Sequence, residues 1–121
     1  MRVGDLPLHA VIRYVKASDS LETARQQMLN AKISSLLVVD TSAAPVGLIT
    51  SRDLLKVNGT GNIAVEQLAT QPLLTISEDA EIRQACRLML DHQLHHLAVV
   101  GDEEVVGILS SLDIVAHYLS L

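Results

Sequence analysis

Asp53 and Asp113 each stand three positions after a hydroxyl residue, Thr50 and Ser110, inside the phrases GLITSRDLL (Gly47 to Leu55) and GILSSLDIV (Gly107 to Val115). An ionised carboxylate accepts hydrogen bonds and donates none, so it suits the two hydroxyls of a ribose rather than a phosphate. Each group falls where a β-branched run gives way to helical spacing. A helix start offers unpaired N–H groups and partial positive charge to a phosphate or a hydroxyl-rich ligand. The same spacing is also that of a capping box, which needs no ligand at all and serves only to begin the helix. Glycine at 47 and 107, in otherwise bulky strands, permits a bulge or a close backbone approach. The combination suits a nucleoside.

The two phrases lie 60 residues apart in a chain of 121, which points to an internal duplication. Upstream the halves keep step: Val15 with Ile76, Leu21 with Ile82, Ala24 with Ala85, Met28 with Met89, and Val38-Val39 with Val99-Val100. Between the apolar runs the first copy reads DTSAAPVG and the second GDEEVVG, one residue shorter, as a hairpin turn tolerates. Leu21, Ala24, Met28 and Leu29, and in the second copy Ile82, Ala85, Cys86 and Met89, form the stripe of a half-buried helix. Ser18 and Asp79 stand just before those stripes as N-cap candidates. SLLVVD and HLAVVG then read as strands, VGLIT and VVGILS as their hairpin partners, and SRDLLK and SLDIVAHYL as closing helices. With short lead strands at VIRYV and LLTIS, each half is β-α-β-β-α, an α+β fold. The expected division is residues 1–57, a linker over 58–64, and residues 65–121, together one compact module.

Composition narrows the function. Hydrophobic residues are 49% of the chain, with no Trp, no Phe and two Tyr, so the core must be aliphatic and some apolar surface is available for a partner copy. The formal net charge is −5 and no run of Lys or Arg occurs, which argues against nucleic acid and anionic membrane as partners. A single cysteine, Cys86, no basic-then-apolar leader and no apolar stretch of about 20 residues lead us to expect a cytoplasmic protein without direct membrane contact.

Other chemistries are weaker. Asn58-Gly59-Thr60-Gly61-Asn62 follows a helix and lacks the third glycine of a dinucleotide fingerprint and the lysine of a P-loop, so it reads as a linker. His92, His95 and His96 have a spacing that can place two imidazoles on one helix face, but no nearby cysteine completes a metal set. They align partly with Ser34 and Ser35, and the expectation is cleft-lining or solvated histidines and no metal. Neither Ser110 nor Ser111 sits in a nucleophile elbow, and Cys86 lies on an apolar stripe, so an enzyme is not expected.

The pattern G-h-h-T/S-x-x-D after an LxVV strand and an amphipathic helix, twice over nearly the whole chain, resembles the tandem cystathionine-beta-synthase (CBS) domain pair. Even VGDL at Val3 to Leu6 and VEQL at Val65 to Leu68 occupy the place of that family's short helical lead-in. The resemblance implies a regulatory module whose two halves pack through their sheets about a pseudo-twofold axis, leaving clefts for AMP, ADP, ATP or S-adenosylmethionine. It implies no obligatory cofactor. In the first cleft Asp53 would hold the ribose hydroxyls, with Thr50 near ribose or phosphate and Arg52 as a phosphate contact. The frame around the adenine would come from Tyr14, Val15 and Ala17 on the lead strand and from Ser34, Ser35, Leu36 and Leu37. In the second, Asp113 and Ser110 would take the same parts, framed by Thr75, Ile76 and Glu78 and by His95, His96, Leu97 and Ala98.

This chain departs from the family where Leu37 and Ala98 replace a common proline, and where Leu112 stands opposite Arg52. The clefts are therefore expected to be unequal, the one around Asp53 preferring phosphate-bearing ligands. A homodimer and an unidentified client protein or fused domain are the expected partners. The competing expectation is a dimerisation or docking module that binds nothing small, supported by the aliphatic surface of Leu54, Leu55, Ile114, Val115 and Leu119.

Overall fold

The structure is a computed structural model that describes residues 1–8, 12–59 and 62–121. Thr60 and Gly61 of the expected linker, and Val11 of the lead segment VIRYV, lie outside the described residues. The chain divides into two compact units, one formed by Arg13–Leu73 and the other, split in sequence, by Met1–Ile12 with Leu74–Leu121.

In the Arg13–Leu73 unit, strands β1 (Tyr14–Lys16), β2 (Ser35–Val39) and β3 (Pro45–Thr50) lie in the order β1-β2-β3. β1 runs parallel to β2, which requires a crossover; helix α1 (Leu21–Ala31) makes it. β2 and β3 form an antiparallel hairpin, and the short helix α2 (Ser51–Leu54) follows directly. The split unit repeats the plan with β4 (Thr75–Ser77), α3 (Ile82–His92), β5 (His96–Gly101), β6 (Glu104–Ser110) and α4 (Ser111–Leu119). The α+β class and the β-α-β-β-α order are as the sequence implied.

Each unit has its own aliphatic core. Leu21, Ala24 and Met28 of α1 pack with Val15, Leu36, Val38 and Ile49; Ile82, Ala85 and Met89 of α3 pack with Ile76, Leu97, Val99 and Leu109. A fully buried aliphatic side chain of this size contributes about 1.5–3 kcal/mol relative to leaving it in water. Cys86 is partly buried against the second of these cores. Leu29, expected on the buried stripe, is 59% exposed, as is its repeat-mate Leu90 at 71%. Both sit one position past the 21/24/28 and 82/85/89 rows, which suffice to cover a three-stranded sheet.

The N-caps also differ from expectation. The residue before α1 is Ser20, whose hydroxyl accepts from the Thr23 N–H at 3.1 Å, and the residue before α3 is Glu81. Ser18 and Asp79 fall earlier, in the turns that end β1 and β4. Those turns are closed by Asp19, which accepts from the Lys16 N–H, and by Ser77, which accepts from the Asp79 N–H.

The lead-in turns are exchanged between the repeats. The 3-10 turn Val65–Gln67 packs on the first repeat, where the N–H groups of Val65 and Glu66 donate to the carbonyls of Asp19 and Ala17 at 2.8 and 3.0 Å. The turn Val3–Asp5 packs on the second repeat, where Val3 and Gly4 donate to Ala80 and Glu78, both at 2.8 Å. Val3 and Val65 are fully buried, each in the core of its unit. Compact packing therefore divides the chain differently from sequence repetition, because burying Val3 completes the core that Ile82 and Leu97 begin.

Candidate functional site

In both units the antiparallel hairpin delivers the hydroxyl residue to the N-cap of a helix. Thr50 pairs with Ser35 across the sheet and Ser110 with His96. The next residue ties the junction to the start of the neighbouring strand: Ser51 N–H donates to the Ser34 carbonyl at 2.9 Å, and Ser111 N–H to the His95 carbonyl at 2.8 Å. His95 Nδ1 also lies 3.4 Å from Ser111 Oγ. Thr50, Asp53, Ser34 and Ser35 are thus gathered at one junction, and Ser110, Asp113, His95 and His96 at the other.

Glycine matters at this hairpin. The β2–β3 register shifts opposite Gly47, between Val38 and Val39, and the β5–β6 register shifts in the same way opposite Gly107. A Cβ on Gly47 would meet the Thr70 carbonyl oxygen at 2.6 Å, so the backbone approach expected from the sequence is realised at this position.

Asp53 is the one buried charged side chain among the described residues, 6% exposed. Its Oδ2 accepts from Thr50 N–H at 2.9 Å and from Thr50 Oγ1–H at 3.1 Å, while Oδ1 accepts from Lys56 Nζ at 3.2 Å. Asp113 is half-buried and makes a reciprocal capping box: its Oδ2 accepts from Ser110 N–H at 2.8 Å, and its own N–H donates to Ser110 Oγ at 3.2 Å. Both carboxylates therefore do cap their helices. Capping by Thr50 and the ion pair with Lys56 together engage three of the roughly four acceptor sites an ionised carboxylate has. Arg52 and Leu112 are both exposed beside their junctions.

The framing residues divide by position along the sheet. Tyr14 and Val15 pair with Leu37 and Val38, and Thr75 and Ile76 with Ala98 and Val99, so these lie close to the junctions. The side chains of Val15, Leu36, Ile76 and Leu97 belong to the cores and leave only their main chain for recognition. Leu37 and Ala98, on the alternate face of their strands, are buried as well. Ala17 and Glu78 are not brought to the junctions. Their N–H groups bond to the carbonyls of Val39 and Val100, four residues along from Ser35 and His96, or about 13 Å at the rise of a strand.

Toward that far end of the split unit, Ser77, Glu78, Asp79, Val100, Gly101, Asp102 and Glu103 line an open concavity of about 640 Å³ that reaches back along β4 to Thr75. Its four carboxylates repel anionic ligands. Among the described residues no group of three or more His, Cys, Asp or Glu side chains is placed to hold a metal ion, and no helix is long and apolar enough to cross a membrane.

Sequence reasoning missed Lys56. The signal was present, since an acid followed three residues later by a lysine on a helix is a pairing distance. In the second repeat the matching residue is Ala116.

Comparison with known proteins agrees with this arrangement. The CBS domain family matches residues 3–59 and 65–120. The uncharacterized protein MK0525 of Methanopyrus kandleri is 31% identical over 118 residues, covering 93% of this chain and 60% of that protein. The CBS domain pair of protein MJ0100, in complex with 5′-methylthioadenosine and S-adenosyl-L-methionine, superposes with a TM-score of 0.84 at 27% identity, covering 99% of this chain and 97% of that one. CBSX2 in complex with AMP superposes with a TM-score of 0.76 at 27% identity, covering 98% and 96%. The chain spans only 21% of an inosine-5′-monophosphate dehydrogenase from Nitrosopumilus maritimus, to which 101 residues align at 30% identity. With both repeats matched and the hydroxyl-x-x-aspartate junction formed in each, the chain belongs to the CBS domain family as a tandem pair.

Proposed function

We propose that this tandem pair is a regulatory module that binds adenosine-type ligands, AMP, ADP, ATP or S-adenosylmethionine, and passes their presence to a partner protein or fused domain. The observation that carries the reading is the pair of carboxylates, Asp53 and Asp113, each fixed by its own cap at a strand-to-helix junction. In each junction the carboxylate takes ribose hydroxyls, the Thr50 or Ser110 hydroxyl lies beside them, and main chain of Ser34–Leu37 or His95–Ala98 meets the base. Relatives at 27% identity bound to AMP and to S-adenosyl-L-methionine support the ligand class. Arg52, against Leu112, supports a preference of the Asp53 site for phosphate-bearing ligands. On this reading the module works in the cytoplasm as a homodimer, without catalysis of its own, and acts on a client whose states differ in affinity for it.

A docking module that holds no small molecule is the second reading. It is favoured by exposed apolar residues on α4, where Leu112, Tyr118 and Leu119 are 75%, 58% and 83% exposed. Mass spectrometry of ligand co-purified with the chain, followed by a thermal-shift panel, separates the two. A ligand at 100 times its dissociation constant raises stability by about 2.7 kcal/mol. A shift with any adenosine compound supports the sensor, and a flat panel with no co-purified nucleoside leaves docking alone.

A further inference from the structure

We propose that Lys56 is a specificity-determining residue that makes the Asp53 site discriminate phosphorylated nucleosides from bare ones. The inference rests on the adenosine-ligand reading above and deepens it. Asp53 has about four acceptor sites, and Thr50 N–H, Thr50 Oγ1–H and Lys56 Nζ engage three. A vicinal diol brings two donors, one more than the carboxylate has left. Thr50 N–H belongs to the helix start and cannot leave without unwinding it, and both Thr50 donors lie on Oδ2, so at Oδ1 the partner that a ribose hydroxyl meets is Lys56 Nζ. The Lys56 ammonium can leave: its side chain is 64% exposed and sits on a flexible four-carbon stem.

Ribose binding therefore displaces the ammonium from Oδ1. A nucleoside without phosphate leaves that cation with water alone, whereas a 5′-phosphate offers it a dianionic partner within reach of the same stem. Lys56 thus penalises adenosine and compensates AMP. The second repeat carries Ala116 at this position, so its site lacks the device.

The test is calorimetric titration of the whole chain with AMP and with adenosine, on wild type, Lys56→Met, Lys56→Arg, Asp53→Asn and the Asp53→Asn/Lys56→Met double variant. An exposed ion pair of this kind corresponds to a factor of about two to five in an equilibrium constant. Lys56→Met is expected to bind adenosine about threefold tighter and AMP about threefold weaker, closing the ratio between them about tenfold. Lys56→Arg keeps the wild-type preference. In the Asp53→Asn background the gain in adenosine affinity disappears, because the ion pair it relieves is already gone. If wild type binds both compounds and Lys56→Met leaves their ratio unchanged, or weakens both equally, the proposal is overturned while the ligand reading stands. If wild type binds neither, both fall together.

Discussion

Replacing Asp53 by Ala and, separately, by Asn separates what the carboxylate does for the fold from what it does for a ligand. The alanine variant removes the acceptor for Thr50 N–H and Oγ1–H at a 6%-exposed position and leaves a part-buried N–H unpaired. Losing the carboxylate as partner of the Thr50 N–H costs about 1.5–3 kcal/mol, while the Thr50 hydroxyl can rotate to water and adds little. The Lys56 pair adds less than about 1 kcal/mol, since its ammonium is 64% exposed and solvent-screened. The expected loss for Asp53→Ala is about 2–3 kcal/mol, or about 10 °C in Tm for a chain of this size. Asparagine keeps an amide oxygen for Thr50 N–H, so Asp53→Asn costs about 1 kcal/mol. A neutral acceptor makes hydrogen bonds of roughly half the strength, so AMP affinity at that site should fall about tenfold, or about 1.4 kcal/mol. Thermal unfolding followed by circular dichroism, without ligand and with saturating AMP, reads both effects. Should Asp53→Asn keep the full AMP-induced shift, the carboxylate only starts a helix and the reasoning from ribose recognition is wrong.

Gly47→Ala forces a Cβ to 2.6 Å from the Thr70 carbonyl oxygen, breaking the paired Leu48–Thr70 hydrogen bonds, and should lower stability by about 2–3 kcal/mol in a denaturant titration. Val3→Ala empties part of the split unit's core and should cost about 2 kcal/mol. Its signature is faster amide exchange in α3, with α1 unaffected; the reverse pattern would refute the exchange of lead-in turns. The Ser42 hydroxyl, with the N–H groups of Ala44 and Ser42, holds the Asp40 carboxyl below the usual carboxylate range. A depressed folded-state pKa contributes stability above the unfolded value of about 3.9 and loses it as pH falls through the folded value. The Ser42 and Ala44 amide resonances should therefore titrate below pH 3.9, and Asp40→Asn should abolish that transition.

How far the fold was legible follows from which interactions are local. The rows Leu21/Ala24/Met28 and Ile82/Ala85/Met89, and the hairpins with their one-residue difference in turn length, are written in periodicity that any single segment displays. The sequence puts the helix starts two residues early because Asp79 is a better capping type than Glu81, and Ser18 and Ser20 have equal capping chemistry. What decides between them is distant: Leu21 N–H donates to the Ile63 carbonyl and Val65 N–H to that of Asp19. The exchange of lead-in turns is invisible in the sequence for the same reason, being made of main-chain bonds between segments far apart in the chain, Val65 to Asp19 and Val3 to Ala80. At the junctions the hydroxyl and acid were legible, and so was the neighbourhood of Ser34-Ser35 and His95-His96. The remoteness of Ala17 and Glu78 was not, since it depends on where β1 and β4 pair along their partners.

Duplication also constrains where the two halves can differ in function. Matched hydrogen bonds recur at matched positions, Ser51 to Ser34 and Ser111 to His95, Glu66 to Ala17 and Gly4 to Glu78, so the main-chain frame offered to a base is nearly the same twice. Any inequality in binding must then arise from side chains that changed between the copies. Around the junctions these include Arg52 against Leu112, Lys56 against Ala116, and Ser34-Ser35 against His95-His96. The first two changes leave both cations in the Asp53 copy and none at the matching positions of the other, which on the proposed reading separates ligands by phosphate charge rather than by base. On the proposed reading, a client coupled to such a module senses how far a nucleoside is phosphorylated through one half while the other half responds to the nucleoside itself.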